Sequence, residues 1–406
     1  MFNVTLPKIE PKRLAVKLSS VGERSVRNGH PWIFSDSIVK IPLHGQSGDI
    51  CIIFSHTKNK PMGIGLYDPR SPIQIKMLHS GGGTNVDSDF FSEKIERAYA
   101  LRTELLDSNT NSYRLVFGEN DGFPGCIIDI YANVLVVKLY SAIWFPYLKD
   151  ILEKCIAMLG VDTVALRLSR MLQTSGSHGL SDGEVLYGSL PEEEIDFLEH
   201  GVRFSANVIK GHKTGFFLDH RHNRKQVGRF AKGKTVLDVF SYAGGFSVHA
   251  LVQGAVEVTS LDISEQALEV AKQNVNRNSF TGTHRTIAGD AFTVLAQLAV
   301  EKKRFDVVVI DPPSFAKRKE EIPTAKKKYA QLALLGSQLT AAKGMLVLAS
   351  CSSRVSEEEF FEINQTTLDK TGRPYKLLKT TNHDIDHPVT FTEGAYLKCG
   401  YYQFLS

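Results

Sequence analysis

Residues Val236 to Ser264 read VLDVFSYAGGFSVHALVQGAVEVTSLDIS: a strand, a glycine turn, a helix and a second strand ending on an acid. Val236 to Phe240 is an apolar run of strand length. Gly244 and Gly245 permit positive φ and a close approach of backbone to a ligand at the helix N-terminus. The second strand, VTSLD, closes on Asp262, at the spacing where a carboxylate accepts hydrogen bonds from a ribose diol. The turn carries SYAGG rather than G-x-G-x-x-G, so a pyrophosphate packed on the helix is poorly supported and an adenosine without phosphates fits better. Alone, the two glycines read equally well as ordinary turn residues. Asp262, Asp290 and Asp311 each follow an apolar strand, which favours the ligand reading, and S-adenosylmethionine is the common cofactor of that description.

From Thr235 onward strands and helices alternate, which predicts an α/β domain with a parallel sheet covered on both faces. Toward the N-terminus the pattern changes. Residues 12 to 80 read as short strands with frequent turns (RLAVKL, GERSVRNGHPWIFSDSIV, GDICIIFS, PMGIGLYD, IQIKML), a small β-rich module. The run HSGGGTNVDSD, residues 79–89, has the composition of a linker. A helix over Phe91 to Leu106 follows, then the paired strands CIIDIYANVLVVKLY turning at Ala132-Asn133, the helix YLKDILEKCIAMLG and the strand VDTVALRLS. Gly176 to Glu199 reads as an acidic loop, and LPEEEIDFLEHGVRFSANV as a hairpin. Three domains are expected, over residues 1–82, 83–205 and 206–406.

With 406 residues, 42% hydrophobic and 23% charged, the chain has the composition of a soluble globular protein able to bury full cores. Its net charge of +4 is compatible with a nucleic-acid partner without requiring one. The opening MFNVTLPKIEPKRLAVK has prolines and charges where a signal peptide needs an apolar core, so a cytoplasmic protein with no membrane partner is expected. The five cysteines are scattered and form no C-x-x-C pair, against a disulfide framework or a zinc knuckle. His383 and His387, in HDIDHP, have a spacing that suits a metal on a helix, but Pro388 and the neighbouring acids indicate a loop, and no metal is expected.

Several segments resemble the bacterial ribosomal RNA large-subunit methyltransferase I family: NGHPWIFSDSI, GENDGFPGCIIDIY, GHKTGFFLDHRHNR, FSYAGGF, DPPSF and SCS. The resemblance spans nearly the whole chain. It implies an N-terminal PUA β-barrel that binds RNA, a central α/β connecting domain and a C-terminal Rossmann-like class I methyltransferase domain. It also implies S-adenosylmethionine as cofactor, 5-methylcytosine in 23S rRNA as product, and frequently a homodimer. The RNA acted on, free or in an assembling large subunit, is not readable from the sequence.

Carbon 5 of cytosine is not nucleophilic until a thiolate adds to carbon 6. Cys351, at the end of the apolar strand MLVLASC, is the candidate nucleophile. A free thiol, with a pKa of roughly 8.5, needs a neighbouring positive charge, for which Arg354 and the sulfonium are candidates. Asp311 ends FDVVVID, stiffened by two following prolines, where it can hydrogen-bond the exocyclic amine and ring nitrogen. In related RNA cytosine-C5 enzymes a second cysteine assists product release; here Ser314 stands in that region, so the base that takes the carbon-5 proton is unidentified.

For the cofactor, Phe240, Ser241, Tyr242, Gly244 and Gly245 are candidates at the methionine end, Asp262 at the ribose, Ile263 on an adenine face, and Asp290 with Ala291 at the adenine edge, and Asp238 is a further candidate. Asp311 and Pro312 border the same site. The resemblance adds Lys213, Phe216 and Asp219 in a segment folding over the cofactor, with Arg221 nearby. For RNA, the candidates are Arg24, Arg27, His30 and Trp32 in the first module, Arg224 in a basic stretch over residues 210–229, and Lys317, Arg318 and Lys319. Trp32 reads more readily as core, and the lysines near 317–328 also suit a solvated helix face. Two alternatives stand beside the carbon-5 reaction: methylation of a base nitrogen, for which DPPSF also serves, and a non-catalytic RNA-binding assembly factor.

Overall fold

The structure, a computed structural model, describes residues 1–406 except 56, 58, 176 and 177. Two residues of the loop expected from Gly176 therefore lie outside the described residues. The chain forms two compact units: residues 1–198 with 205–218 and 385–391, and residues 199–204 with 219–384 and 392–406.

Among the described residues, two sheets lie wholly within the first unit. β1 (Arg13–Leu18), β2 (Trp32–Ile33), β3 (Ile38–Lys40), β4 (Ile50–Phe54), β5 (Pro61–Tyr67) and β6 (Ile75–Ser80) pair in the order β2-β6-β5-β4-β1-β3. The end strands β2 and β3 are joined by residues 34–37, which reach at most about 18 Å, whereas six flat strands span about 24 Å. The sheet must therefore curl round toward closure. Its inward residues, among them Leu14, Val16, Cys51, Ile53 and Ile75, are fully buried. The stretch expected as strand before Trp32 is instead the helix α1 (Ser20–Arg27), capped by Ser19. Gly22, Glu23 and Val26 form its buried stripe, a helical spacing rather than an alternation.

After α2 (Ser88–Ala100) and α3 (Thr103–Leu106) comes a five-stranded sheet of β7 (Ser112–Phe117), β8 (Cys126–Tyr131), β9 (Val134–Leu139), β10 (Thr163–Leu168) and β11 (Val185–Tyr187), ordered β11-β10-β9-β8-β7. Tyr131 pairs with Val134, so Ala132-Asn133 is the two-residue turn, with Ala132 at φ 54°. α4 (Leu148–Leu159) carries the crossover to the parallel strand β10, and α5 (Arg170–Ser175) follows it. The hairpin β12 (Glu194–Glu199) and β13 (Val202–Asn207) matches the expected one, whereas β11 was not legible as a strand.

The second unit holds α6 (Arg221–Ala231), β14 (Thr235–Val239), α7 (Gly245–Val252), β15 (Glu257–Asp262), α8 (Glu265–Asn276), β16 (Thr283–Ala288), α9 (Ala291–Val300), β17 (Phe305–Ile310), α10 (Ile322–Leu339), β18 (Thr340–Ser350), α11 (Glu357–Asp369), β19 (Tyr375–Thr381) and β20 (Lys398–Phe404). The sheet order is β16-β15-β14-β17-β18-β20-β19, parallel except for β20, which pairs antiparallel with both neighbours. Leu237, Val239, Leu261, Val308, Ile310, Leu346 and Leu348 pack in one cluster with residues of α9, α10 and α11. The alternate residues, including Val236, Val258, Val307 and Val309, project from the opposite face and are equally buried. Both faces are thus covered, and the strand order reverses between β14 and β17, where α/β sheets bind ligands at their carboxyl ends.

Candidate active site in the second unit

Val239 of β14 is paired with Ile310 of β17, and Ile310 with Leu348 of β18, so the three strands end at one edge. The Phe240–Gly245 turn, Asp311 and Cys351 all leave the sheet there.

The turn is conformationally demanding. Phe240 (φ 63°), Tyr242 (φ 47°) and Gly244 (φ 76°) are left-handed, a region that costs non-glycine residues free energy and marks functional loops. Side chains are also excluded by packing: a Cβ on Gly244 would lie 2.9 Å from the Ala271 Cβ, and one on Gly245 2.6 Å from the Arg224 Cδ. Asp262 holds the turn by accepting from the Tyr242 amide at 2.9 Å and the Ser264 amide at 2.9 Å, leaving each oxygen further lone-pair capacity. Asp290 caps α9 through Thr293 and is exposed, and Ala291 is buried behind it.

These residues fit S-adenosylmethionine. Asp238 Oδ2 accepts from the Ser247 amide and hydroxyl, but Asp238 Oδ1 and Ser241 Oγ are buried without a hydrogen-bond partner among the described residues. Buried polar atoms rarely stay unpaired, and the ammonium and carboxylate of a methionine end would satisfy them. Burial pushes the Asp238 carboxyl up to about 7, a shift that a bound cation would reverse. Ile263 is 74% exposed, an apolar face next to Asp262 where an adenine ring would be covered.

Beside the turn three reactive groups converge. Cys351 Sγ lies 3.7 Å from Asp311 Oδ1 and 3.5 Å from His220 Nε2, and that nitrogen lies 3.3 Å from Asp311 Oδ1. Burial, then the charges of Asp311 and Asp219, push the Cys351 thiol well above its ordinary value. Of the two candidates for the charge that would lower the thiol, Arg354 is exposed, and the protein cation whose field lowers Cys351 is Lys398. Burial alone would lower His220, but the charge and hydrogen bond of Asp311 outweigh it and the ring is held above its ordinary value. Asp219 accepts from the Tyr396 hydroxyl at 2.9 Å, and Pro312 is buried behind Asp311.

Two further expectations are corrected. Arg224 is not on an RNA surface: its guanidinium is 4% exposed and grips Glu199 with Nε at 2.7 Å and Nη2 at 2.6 Å. Arg221 is wholly buried and pairs with Asp384 at 3.2 Å, so it supports the fold instead of facing a ligand. Lys317, Arg318 and Lys319 are exposed. Lys213 and Phe216 belong to the first unit, where Lys213 (φ 58°) accepts from Lys138 through its carbonyl and Phe216 packs edge-on against Phe197. In the same unit Arg24 is exposed, Arg27 pairs with Glu23 at 2.6 Å, and His30 and Trp32 are half-buried against Phe391. Trp32 donates its indole N–H to Glu119 at 3.0 Å and is half-buried rather than core. His383 and His387 fall in different units. Sequence reasoning missed His220 and Lys398. His220 stood inside the quoted segment GHKTGFFLDHRHNR, whereas Lys398 begins a strand and carries no motif.

A family model for S-adenosylmethionine-dependent methyltransferases matches residues 148–357, and one for PUA-like domains matches residues 16–80. The ribosomal RNA large subunit methyltransferase of Deinococcus radiodurans is 39% identical over 98% of this chain and 100% of its own length. The chain belongs to the ribosomal RNA large subunit methyltransferase I family. The ribosomal RNA large subunit methyltransferase I of Shewanella frigidimarina is 34% identical, over 95% of this chain and 98% of its own. In fold, the methyltransferase is similar to a solved S-adenosylmethionine-dependent methyltransferase from Streptococcus mutans, with TM-score 0.79 and 20% identity over 96% of this chain and 99% of that one. S-adenosylmethionine is its cofactor, supplying the methyl group on a sulfonium.

Proposed function

We propose that this methyltransferase forms 5-methylcytosine in 23S rRNA through a covalent adduct between Cys351 and carbon 6 of the base. The observation that carries the reading is the placing of the Cys351 thiol 3.7 Å from Asp311 Oδ1 at the edge that also holds the adenosine-type turn. The thiol donates toward Asp311. As the S–C6 bond forms, the thiol proton passes to Asp311, the displaced π electrons reach ring nitrogen 3, and Asp311 protonates that nitrogen. Carbon 5, now enamine-like, takes the methyl group; its proton then leaves to water, the C5–H electrons re-form the C5–C6 double bond as the C6–S bond breaks, and nitrogen 3 returns its proton through Asp311 to the Cys351 sulfur. His220 holds Asp311 and the sulfur in one arrangement throughout.

Asp238, Ser241 and the Phe240–Gly245 turn would hold the methionine end, Asp262 the ribose, and Ile263, Asp290 and Ala291 the adenine. Asp219 borders the reacting sulfur. Arg24, Arg27, His30 and Trp32 form one candidate RNA surface and Lys317–Lys319 another. The reaction would take place in the cytoplasm, on free or assembling large-subunit RNA, by a monomer or homodimer.

One observation favours a second reading. The thiol is pushed up by its carboxylate neighbours, which is indifferent to a reaction at a base nitrogen, where no adduct forms. Nucleoside mass spectrometry separates the two, using rRNA from cells lacking the gene incubated with labelled S-adenosylmethionine. Label in 5-methylcytosine that disappears with Cys351→Ala supports the adduct. Label in a methylated guanine or adenine, unaffected by the substitution, overturns it.

A further inference from the structure

Lys398 is 3% exposed, and its ammonium donates to the carbonyls of Ser352 and Val355, both in the loop that follows Cys351. Among the described residues no carboxylate lies within ion-pair distance of it. Glu357, Glu358 and Glu359 at the start of α11 act on it only from beyond that distance, and a buried cation with no anion in contact is costly unless one forms beside it. An ammonium has three donors; two are spent on carbonyls, which leaves one. The register sets its backbone beside Ser350, the residue before Cys351, and the two carbonyls hold its ammonium on the loop that carries the sulfur onward. From the geometry we propose that Lys398 is a positioning residue that supplies the counter-charge of the Cys351 thiolate, holding the loop behind the sulfur and stabilising the anion as the thiol proton leaves for Asp311. The electrostatics agree, since Cys351 exerts the largest charge effect on Lys398, and Lys398 is the cation that lowers Cys351. The anion it serves has this role only if Cys351 is the nucleophile, as proposed above.

The test needs no RNA, so its outcome is separate from that of product analysis. Cys351 is half-buried while the other four cysteines are buried, so iodoacetamide should select it, and peptide mass spectrometry reports its rate of alkylation against pH. In Lys398→Met the rate at pH 7.5 should fall at least tenfold and the profile move to higher pH. Lys398→Gln, which keeps a donor for the carbonyls without the charge, should behave like Met; Lys398→Arg should stay within threefold of the natural protein, and so should Arg354→Met. Methionine and glutamine profiles that superimpose on the natural one overturn the proposal, and so does an arginine variant as slow as methionine. If the neutral variants do not fold, Lys398→Arg still decides. Burial brings Lys398 down to about 8, so at pH 9 the permanently charged guanidinium should give faster alkylation than lysine, and a slower rate there refutes the counter-charge role.

Discussion

Two buried charged clusters meet at the start of α6, and they are built on opposite plans. In one, Arg224 and Arg221 face Glu199 and Asp384, two cations against two anions, and His249 adds a contact to Glu199 at 2.9 Å. Burial pushes Glu199 up, but the charge and hydrogen bonds of Arg224 outweigh it and hold the carboxyl well below its usual range. In the other, His220 and Cys351 surround Asp311, with Lys398 on the loop behind the sulfur; the thiol is raised, the ammonium brought down to about 8 and the imidazole raised. Matched buried charges brace the fold, whereas a protonated thiol kept 3.7 Å from a carboxylate is poised to give up its proton. The comparison explains why Arg224, basic and central in the sequence, is no RNA ligand.

Breaking the poised cluster should have the largest effect. Cys351→Ala should reduce methyl transfer by on the order of 10³-fold or more while leaving the melting temperature nearly unchanged, since a half-buried sulfur is removed beside polar groups. Residual activity within tenfold would remove Cys351 from the mechanism. Breaking the matched cluster should do the reverse. Glu199→Leu removes the buried carboxylate that Arg224 grips with two nitrogens and should cost about 3–5 kcal/mol in denaturant unfolding. A loss below about 1 kcal/mol would mean that the arginines find other anions, and the contrast between the clusters would fail.

The same contrast marks how far the sequence was legible. The parallel part of the sheet followed from the alternation of strands and helices, because a strand buried on both faces, such as FDVVVID, cannot be read as anything solvated, whereas β19 and the antiparallel β20 were not read as strands. Asp311 and Cys351 were legible because each directly follows such a strand, and strand ends are where parallel sheets present side chains. Arg224 misled because charge is visible in a sequence and burial is not: its partner Glu199 is 25 residues away, at the tip of a hairpin. Lys398 was invisible for the converse reason, a single lysine whose meaning comes from its cross-strand neighbour Ser350. The helix α1 was mistaken for strand because GERSVRNG is polar and turn-rich, and only the Gly22, Glu23 and Val26 stripe reveals the period.

Asp238 sharpens the comparison with a titration. Its carboxyl lies at about 7 in the folded protein against an ordinary value of 3.8, so it is raised, and the stability it contributes is fully present below pH 4 and lost as pH rises through about 7. A cationic methionine end would favour the ionised form. Affinity for S-adenosylmethionine, measured calorimetrically, should therefore rise about tenfold from pH 6 to pH 8 with proton release at the lower pH. Asp238→Asn should bind more weakly and flatten this dependence, and a profile unchanged by the substitution would place the titrating group elsewhere.

Exposed charges form a third class, neither matched nor poised, and their effect should be the smallest. Lys317, Arg318 and Lys319 all face solvent, with the backbone amides of the first two held by Glu321 at 2.6 and 2.9 Å, so the loop keeps its shape when the side chains are cut back. If they neutralise phosphates, replacing all three with alanine removes up to three counterion-releasing contacts. The slope of log affinity against log salt for single-stranded rRNA fragments should then flatten by about 2, and affinity near physiological salt should fall roughly fivefold to tenfold. S-adenosylmethionine binding and alkylation of Cys351 should not move, because neither depends on charges in that loop. An unchanged salt slope would identify the three residues as a solvated face and shift the RNA contact to Arg24, His30 and Trp32, whose substitution should then carry the salt dependence that the loop lacks.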